Sequence, residues 1–160
     1  MVEERDYIIQ TLKAAGIRSQ VYTTLKKLKQ ANEAHVGAVL QNGDTFSRSG
    51  SKKIFVDQEG QRKRRRKLWD RNTSFCVVIA DTSEEKVEGI LESFLRNLKK
   101  GIDVGGNWVD IVVGEADWLE EGDSILKAKV AVQFLVTFES GIYEDNDMKP
   151  MGIGSVRQGG

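Results

Sequence analysis

"LWDRNTSFCVVIADTSEEKVEGILESFLRNLKKG", residues Leu68–Gly101, sets a strand pattern directly before a helix pattern. From Leu68 to Ala80 the odd positions Trp69, Thr73, Phe75, Val77 and Ile79 form an apolar face broken by Arg71. Asp70, Asn72, Ser74, Cys76 and Val78 take the other face, so the period of two predicts a β-strand. The period then lengthens: Val87, Ile90, Leu91, Phe94, Leu95 and Leu98 recur at the three- and four-residue spacing of one helical face. Asp81 and Glu84 fit a capping box, and Lys99 and Lys100 suit the negative end of the helix dipole. Gly101 is placed to stop the helix in a left-handed conformation.

Downstream, Val109, Ile111 and Val113 alternate inward on one strand. Leu126, Ala128, Val130, Val132, Phe134, Val136 and Phe138 do so on a longer one, with Lys127, Lys129, Gln133 and Thr137 facing the other way. Upstream, Glu3–Ala15 suits a helix with Ile8, Ile9 and Leu12 on one side and Gly16 as its stop. Residues 21–32 favour a strand in Val21, Tyr22, Thr23 and Thr24, and a helical turn in Leu25 and Leu28. Val36, Ala38 and Leu40 alternate as a strand before Asn42-Gly43, a pair suited to a tight turn. A loose "SRSGSKK" then leads to Ile54–Val56, and "DQEGQ" (Asp57–Gln61) supplies a turn into the basic run that opens the Leu68–Ala80 strand.

These elements predict an α+β fold: a single antiparallel (mixed) β-sheet with helices packed on one face and a long projecting β-hairpin. One domain is expected over residues 1–143, its basic hairpin arm about 52–80, followed by a Gly- and Asp-rich tail over 144–160. At 160 residues and 39% hydrophobic content, the chain has material for one modest core.

Twenty-four Lys/Arg balance twenty-four Asp/Glu, so the chain as a whole lacks the basic excess of a dedicated nucleic-acid binder. The charge is segregated, however. Arg48–Arg71 carries ten Lys/Arg against three acids, a local +7 offset by −7 elsewhere, and a neutral chain with separated poles can meet copies of itself. One cysteine and no signal-like opening segment point to a reducing cytoplasm, which leaves Asn72-Thr73-Ser74 a sequon without consequence. No apolar run approaches a membrane span, so no membrane partner is expected.

The residues offer little chemistry. His35 is the only histidine and sits in a predicted strand, where a structural role is the simpler reading. Cys76 has no second cysteine or histidine beside it. "GIDVGGNW" (101–108) lacks the Lys-Ser/Thr of a P-loop and the spacing of a dinucleotide fingerprint, and reads as a turn entering a strand. Glu115, Asp117, Glu120, Glu121 and Asp123 lack EF-hand spacing and its central glycine, so a solvated acidic loop is expected, without metal or cofactor. Trp118 within that loop either folds back on its own sheet or anchors an interface.

The order "RKLWDRNTSFCVVIAD", "SEEKVEGILESFLRNL", "GNWVDIVVGEADW" and "AKVAVQFLVTFESGIYED" resembles that of the tail-terminator or tail-completion (head–tail joining) proteins of long-tailed bacteriophages, over residues 34–145. The resemblance lies in element order and in the character of the final strand, since the family has no catalytic signature. It implies a small α+β fold, a homo-oligomeric ring of six subunits, and a virion position at the head-proximal end of the tail, reached from the host cytoplasm. The ring would cap the tail tube protein and dock a head connector protein, an assembly role without turnover.

Arg62, Lys63, Arg64, Arg65, Arg66 and Lys67 are the expected interface on the basic arm, and Glu115, Asp117, Trp118, Glu120 and Glu121 the expected interface on the acidic loop. Six consecutive charges on a strand populate both faces, so the arm is expected to stand in solvent or against a partner. An acidic protein surface is favoured over DNA in transient proximity, because only Trp69 accompanies the charges as a base-stacking aromatic. The alternatives are a sequence-independent nucleic-acid-binding module and a solvated hairpin tip that keeps an edge from aggregating.

Overall fold

The computed structural model of the chain describes residues 2–120, 128 and 130–147. Its elements run α1 (Val2–Ala15), β1 (Val21–Tyr22), α2 (Leu25–Lys29), β2 (Val36–Arg48), β3 (Lys52–Val56), β4 (Arg62–Asp81), α3 (Glu84–Asn97), β5 (Gly101–Val104), β6 (Asn107–Glu120) and β7 (Val130–Asp147). The fold is mixed α+β. Seven described strands form one mostly antiparallel sheet in the order β1-β2-β4-β7-β6-β5, with β3 paired to β4 off that path and β1 parallel to β2. The chain divides into two compact units, Met1–Thr45 with Asn72–Ser140, and Phe46–Arg71 with the segment from Gly141 onward.

In the first unit, alternation along β4 sorts the core. Phe75, Val77 and Ile79 join Ile8 and Leu12 of α1, Val87 and Phe94 of α3, and Val132, Phe134, Val136 and Phe138 of β7 in one buried cluster. Phe75 meets Phe138 edge-on at 5.8 Å, and Phe94 meets Phe134 at 5.6 Å, separations favourable for aromatic pairs. Val78 and Ala80, on the opposite face of β4, join Leu28 of α2 with Val36, Ala38 and Ala131 in a second buried cluster. Helix residues therefore enter the packing from both sides of β4, where the expectation had helices packed on one face. Residues 21–32, open between strand and helix, are both in turn: β1, then α2, with Thr24 as N-cap accepting from the Lys27 N–H.

Several local expectations are corrected. Asn42-Gly43 makes no chain reversal. β2 runs through it, and Gly43 takes φ +137° within the strand, a conformation open to it because it has no Cβ. The N-cap of α3 is Ser83, whose hydroxyl accepts from the Lys86 N–H; Asp81 is drawn into a hydrogen bond with His35 instead. Gly101 does not stop α3, which ends as Leu98 turns extended. It opens β5, where a Cβ would stand 2.5 Å from the Val109 carbonyl oxygen and 2.6 Å from the Trp108 ring. Leu95 is 43% exposed and Val113 37%, so neither belongs to the buried face assigned to it. β7 runs from Val130 to Asp147. Leu126, Lys127, Lys129 and the tail from 148 lie outside the described residues.

Candidate interaction surfaces

The basic run begins β4, in the second unit. Asp57 ends β3 and folds the connection: its Oδ1 accepts from the N–H of Glu59 at 3.0 Å and of Gln61 at 2.8 Å, and Gly60 takes φ +83°. The backbone bond from Gln61, foremost, and the Lys63 ammonium hold the Asp57 carboxyl below its ordinary pKa. With that turn, Lys52, Lys53, Ile54, Phe55 and Val56 oppose Arg66, Arg65, Arg64, Lys63 and Arg62 in antiparallel register.

Strand alternation divides the six cations into two sets of three. Lys63, Arg65 and Lys67 are half-buried and paired. Arg65 grips Asp145 of β7 with two parallel bonds, Nε–Oδ1 at 2.7 Å and Nη2–Oδ2 at 3.0 Å, the bidentate geometry that strengthens a guanidinium–carboxylate pair. Its guanidinium also lies 4.7 Å from the Phe55 ring centre and 5.8 Å from that of Tyr143. The Arg65 bond is the chief cause holding the Asp145 carboxyl below its usual range. Lys63 reaches Asp57 at 3.4 Å and Asp147 at 3.9 Å, and Lys67 reaches Asp70 at 2.7 Å.

Arg62, Arg64 and Arg66 face the other way, exposed, with no ion pair among the described residues. Their cross-strand neighbours Val56, Ile54 and Lys52 are exposed beside them, Val56 and Ile54 at 62% and 53%. The result is a cationic face with an apolar border.

Sequence reasoning took the run as six equivalent exposed charges and missed the aromatics that seat half of them. Arg48 lies 4.5 Å over Trp69 and Arg71 5.7 Å from Phe46, so cation–aromatic stacking recurs through this unit. The recurrent Arg with Phe, Tyr or Trp near residues 46–71 and 143 was the available signal, yet their contacts depend on register between strands.

The acidic segment is a strand and not a loop. Glu115, Asp117, Trp118 and Glu120 lie in β6, in the first unit; Glu121 and Asp123 lie outside the described residues. β6 holds Gly114 and Glu115 between Val113 and Ala116, where β7 holds Leu135 alone between Val136 and Phe134, a β-bulge. The extra residue reverses the alternation beyond Val113. Beyond the bulge, Trp118 opposes Val132 and Asp117 opposes Gln133, so the acids and Trp118 are spread over both faces of the strand. Residues 112–118 are all exposed, Trp118 at 41%.

His35 and Cys76 are structurally engaged. His35 Nε2 accepts from the Arg18 N–H at 3.1 Å, which fixes the proton on Nδ1, where it is donated to Asp81 Oδ2 at 2.8 Å. Burial alone would raise the Asp81 pKa, but the bonds from His35 and from the Thr82 N–H outweigh it and hold the carboxyl low. These residues border a cleft with Arg18, Glu85 and Lys86, and both imidazole nitrogens in it are committed. Burial first, and the Asp117 carboxylate second, push the Cys76 thiol up, away from the nucleophilic thiolate. Among the described residues no three His, Cys, Asp or Glu side chains gather to hold a metal, and no helix is long and apolar enough to cross a membrane.

Comparison of the chain with protein-family models and with curated proteins found no match, so the function rests on this geometry alone.

Proposed function

We propose that the chain is a structural assembly protein of the phage tail-terminator type, which closes as a ring on the end of a tail tube and helps join tail to head. In this reading the β3–β4 hairpin is the contact arm. The observation that carries the reading is the division of the basic run. One face is neutralised within the chain, and the other presents Arg62, Arg64 and Arg66 with no ion pair among the described residues.

Guanidinium groups held on a paired strand lose little freedom on meeting carboxylates, which favours specific protein contact. Exposed Ile54 and Val56 beside them supply the apolar part of such an interface. The same row favours one other reading, sequence-independent contact with nucleic-acid phosphates, which would add no turnover either.

Electron microscopy of the concentrated protein, alone and with polymerised tail tubes from the phage or prophage that encodes it, tests the proposal. Rings seated at one tube end are expected. A chain that leaves tube ends bare, and binds duplex DNA with affinity falling steeply in salt, gives the surface to the second reading.

A further inference from the structure

Two strand edges of opposite sign in the sheet meet no described strand. On one side, β5 covers β6 only from Asn107 to Asp110, and the last backbone bond beyond it is Ile111 N–H to the Lys100 carbonyl, at 2.8 Å. From Val112 to Glu120 the edge of β6 away from β7 meets no described strand. An antiparallel strand turns half of its amides and carbonyls to each side, so this edge offers, across nine residues, donors and acceptors that no described strand meets. It carries Glu115, Asp117 and Glu120 and no cation, with Val112, Val113 and Trp118 exposed. The second such edge is that of β3, which among the described residues pairs with β4 alone. It carries Lys52 and Lys53 and no acid, with Ile54 and Val56 exposed and the Arg62–Arg64–Arg66 row one strand behind.

We infer that the β3 edge of one copy adds to the β6 edge of the next, extending the sheet from molecule to molecule by backbone hydrogen bonds. Charge selects this pairing. β3 against β3 brings two edges together that carry lysines and no acid, and β6 against β6 two that carry carboxylates and no cation, so like charge disfavours both two-fold pairings. β3 against β6 places Lys52 and Lys53 beside Glu115, Asp117 and Glu120, and lets Ile54 and Val56 cover Val112, Val113 or Trp118. Strands lie about 4.8 Å apart, within reach of the arginines of β4 across the intervening strand. The contact is head-to-tail, the class that builds rings or filaments and not closed dimers. This inference rests on the assembly reading, to which it adds the partner surface.

A charge exchange tests it. Lys52→Glu with Lys53→Glu makes both edges acidic, and Glu115→Lys with Asp117→Lys makes both basic. All four positions are exposed, so each variant should melt within a few degrees of the wild type. By sedimentation, wild type should self-associate with rising concentration. Each variant alone should associate about tenfold or more weakly, and an equimolar mixture should recover association, because each edge then meets its opposite. Amide exchange should slow over 52–56 and 112–120 in the associated state.

A wild type that stays single at every concentration, a variant that associates alone as wild type does, or a mixture that stays dissociated overturns the inference. Association through these edges by a protein that never seats on tubes would retain it and remove the assembly role. Ring seating with both edges still exchanging freely would do the reverse.

Discussion

Replacing Arg65 with Ser should destabilise the protein, although Arg64→Ser one residue away should not. Arg65 makes two short bonds to Asp145 and stacks on Phe55 and Tyr143, and its side chain is 18% exposed. Hydrogen bonds to charged groups contribute about 1.5–3 kcal/mol and an exposed cation–aromatic contact about 0.5–1 kcal/mol. Asp145 is 41% exposed, so solvent screening takes the low end, and the loss comes to about 2 kcal/mol. Arg64 makes no ion pair among the described residues, and its loss should stay within about 0.5 kcal/mol. Equilibrium urea melts measure the difference, and amide exchange over 62–71 detects opening confined to the second unit. A cycle with Asp145→Asn should return a coupling of about 1–2 kcal/mol. If Arg65→Ser and Arg64→Ser were indistinguishable by melt and by exchange, the two-faced account of the basic run would be wrong.

In the core, Phe94→Ala should cost about 3–5 kcal/mol by melt because the ring is fully buried against Phe134, whereas Leu95→Ala, 43% exposed, should cost under about 1 kcal/mol. Gly101→Ala should cost about 1–3 kcal/mol, since its Cβ would strike the Val109 carbonyl; a neutral variant would mean β5 and β6 are not so closely paired. Asp81, Asp57 and Asp145 all have folded-state pKa values held below the ordinary carboxylate value, so their stabilisation is complete above an unfolded pKa of about 3.9 and disappears as pH falls through the lower folded values. Melting temperature against pH should therefore be flat near neutrality and fall in acid. Asp81→Asn should make that fall shallower, and an unchanged slope would show that Asp81 does not contribute to it.

Local patterning carried much of the fold. The period-two run through Phe75, Val77 and Ile79 and the helical spacing of Val87 and Phe94 are properties of consecutive residues, legible without knowing what packs against them. Gly16 as the stop of α1 and the Asp57–Gln61 turn were legible for the same reason. Reading failed where a second strand decides. Asn42-Gly43 is turn chemistry, but β4 holds the chain straight through it. Val113 is in phase by sequence, but a bulge facing Leu135 shifts everything after it and turns an expected acidic loop into an edge strand.

By itself, the sequence determined the α+β class, the main apolar faces, the separation of charge and the poverty of catalytic groups. Which cations are neutralised, and which sheet edges remain open, was decided only by the tertiary structure. Lys63, Arg65 and Lys67 are chemically equivalent to Arg62, Arg64 and Arg66 along the chain. They differ because the turn and the strand pairing bring Asp57, Asp70, Asp145 and Asp147 within reach of Lys63, Lys67 and Arg65, with Phe55 and Tyr143 beside Arg65, and bring no described acid to Arg62, Arg64 and Arg66.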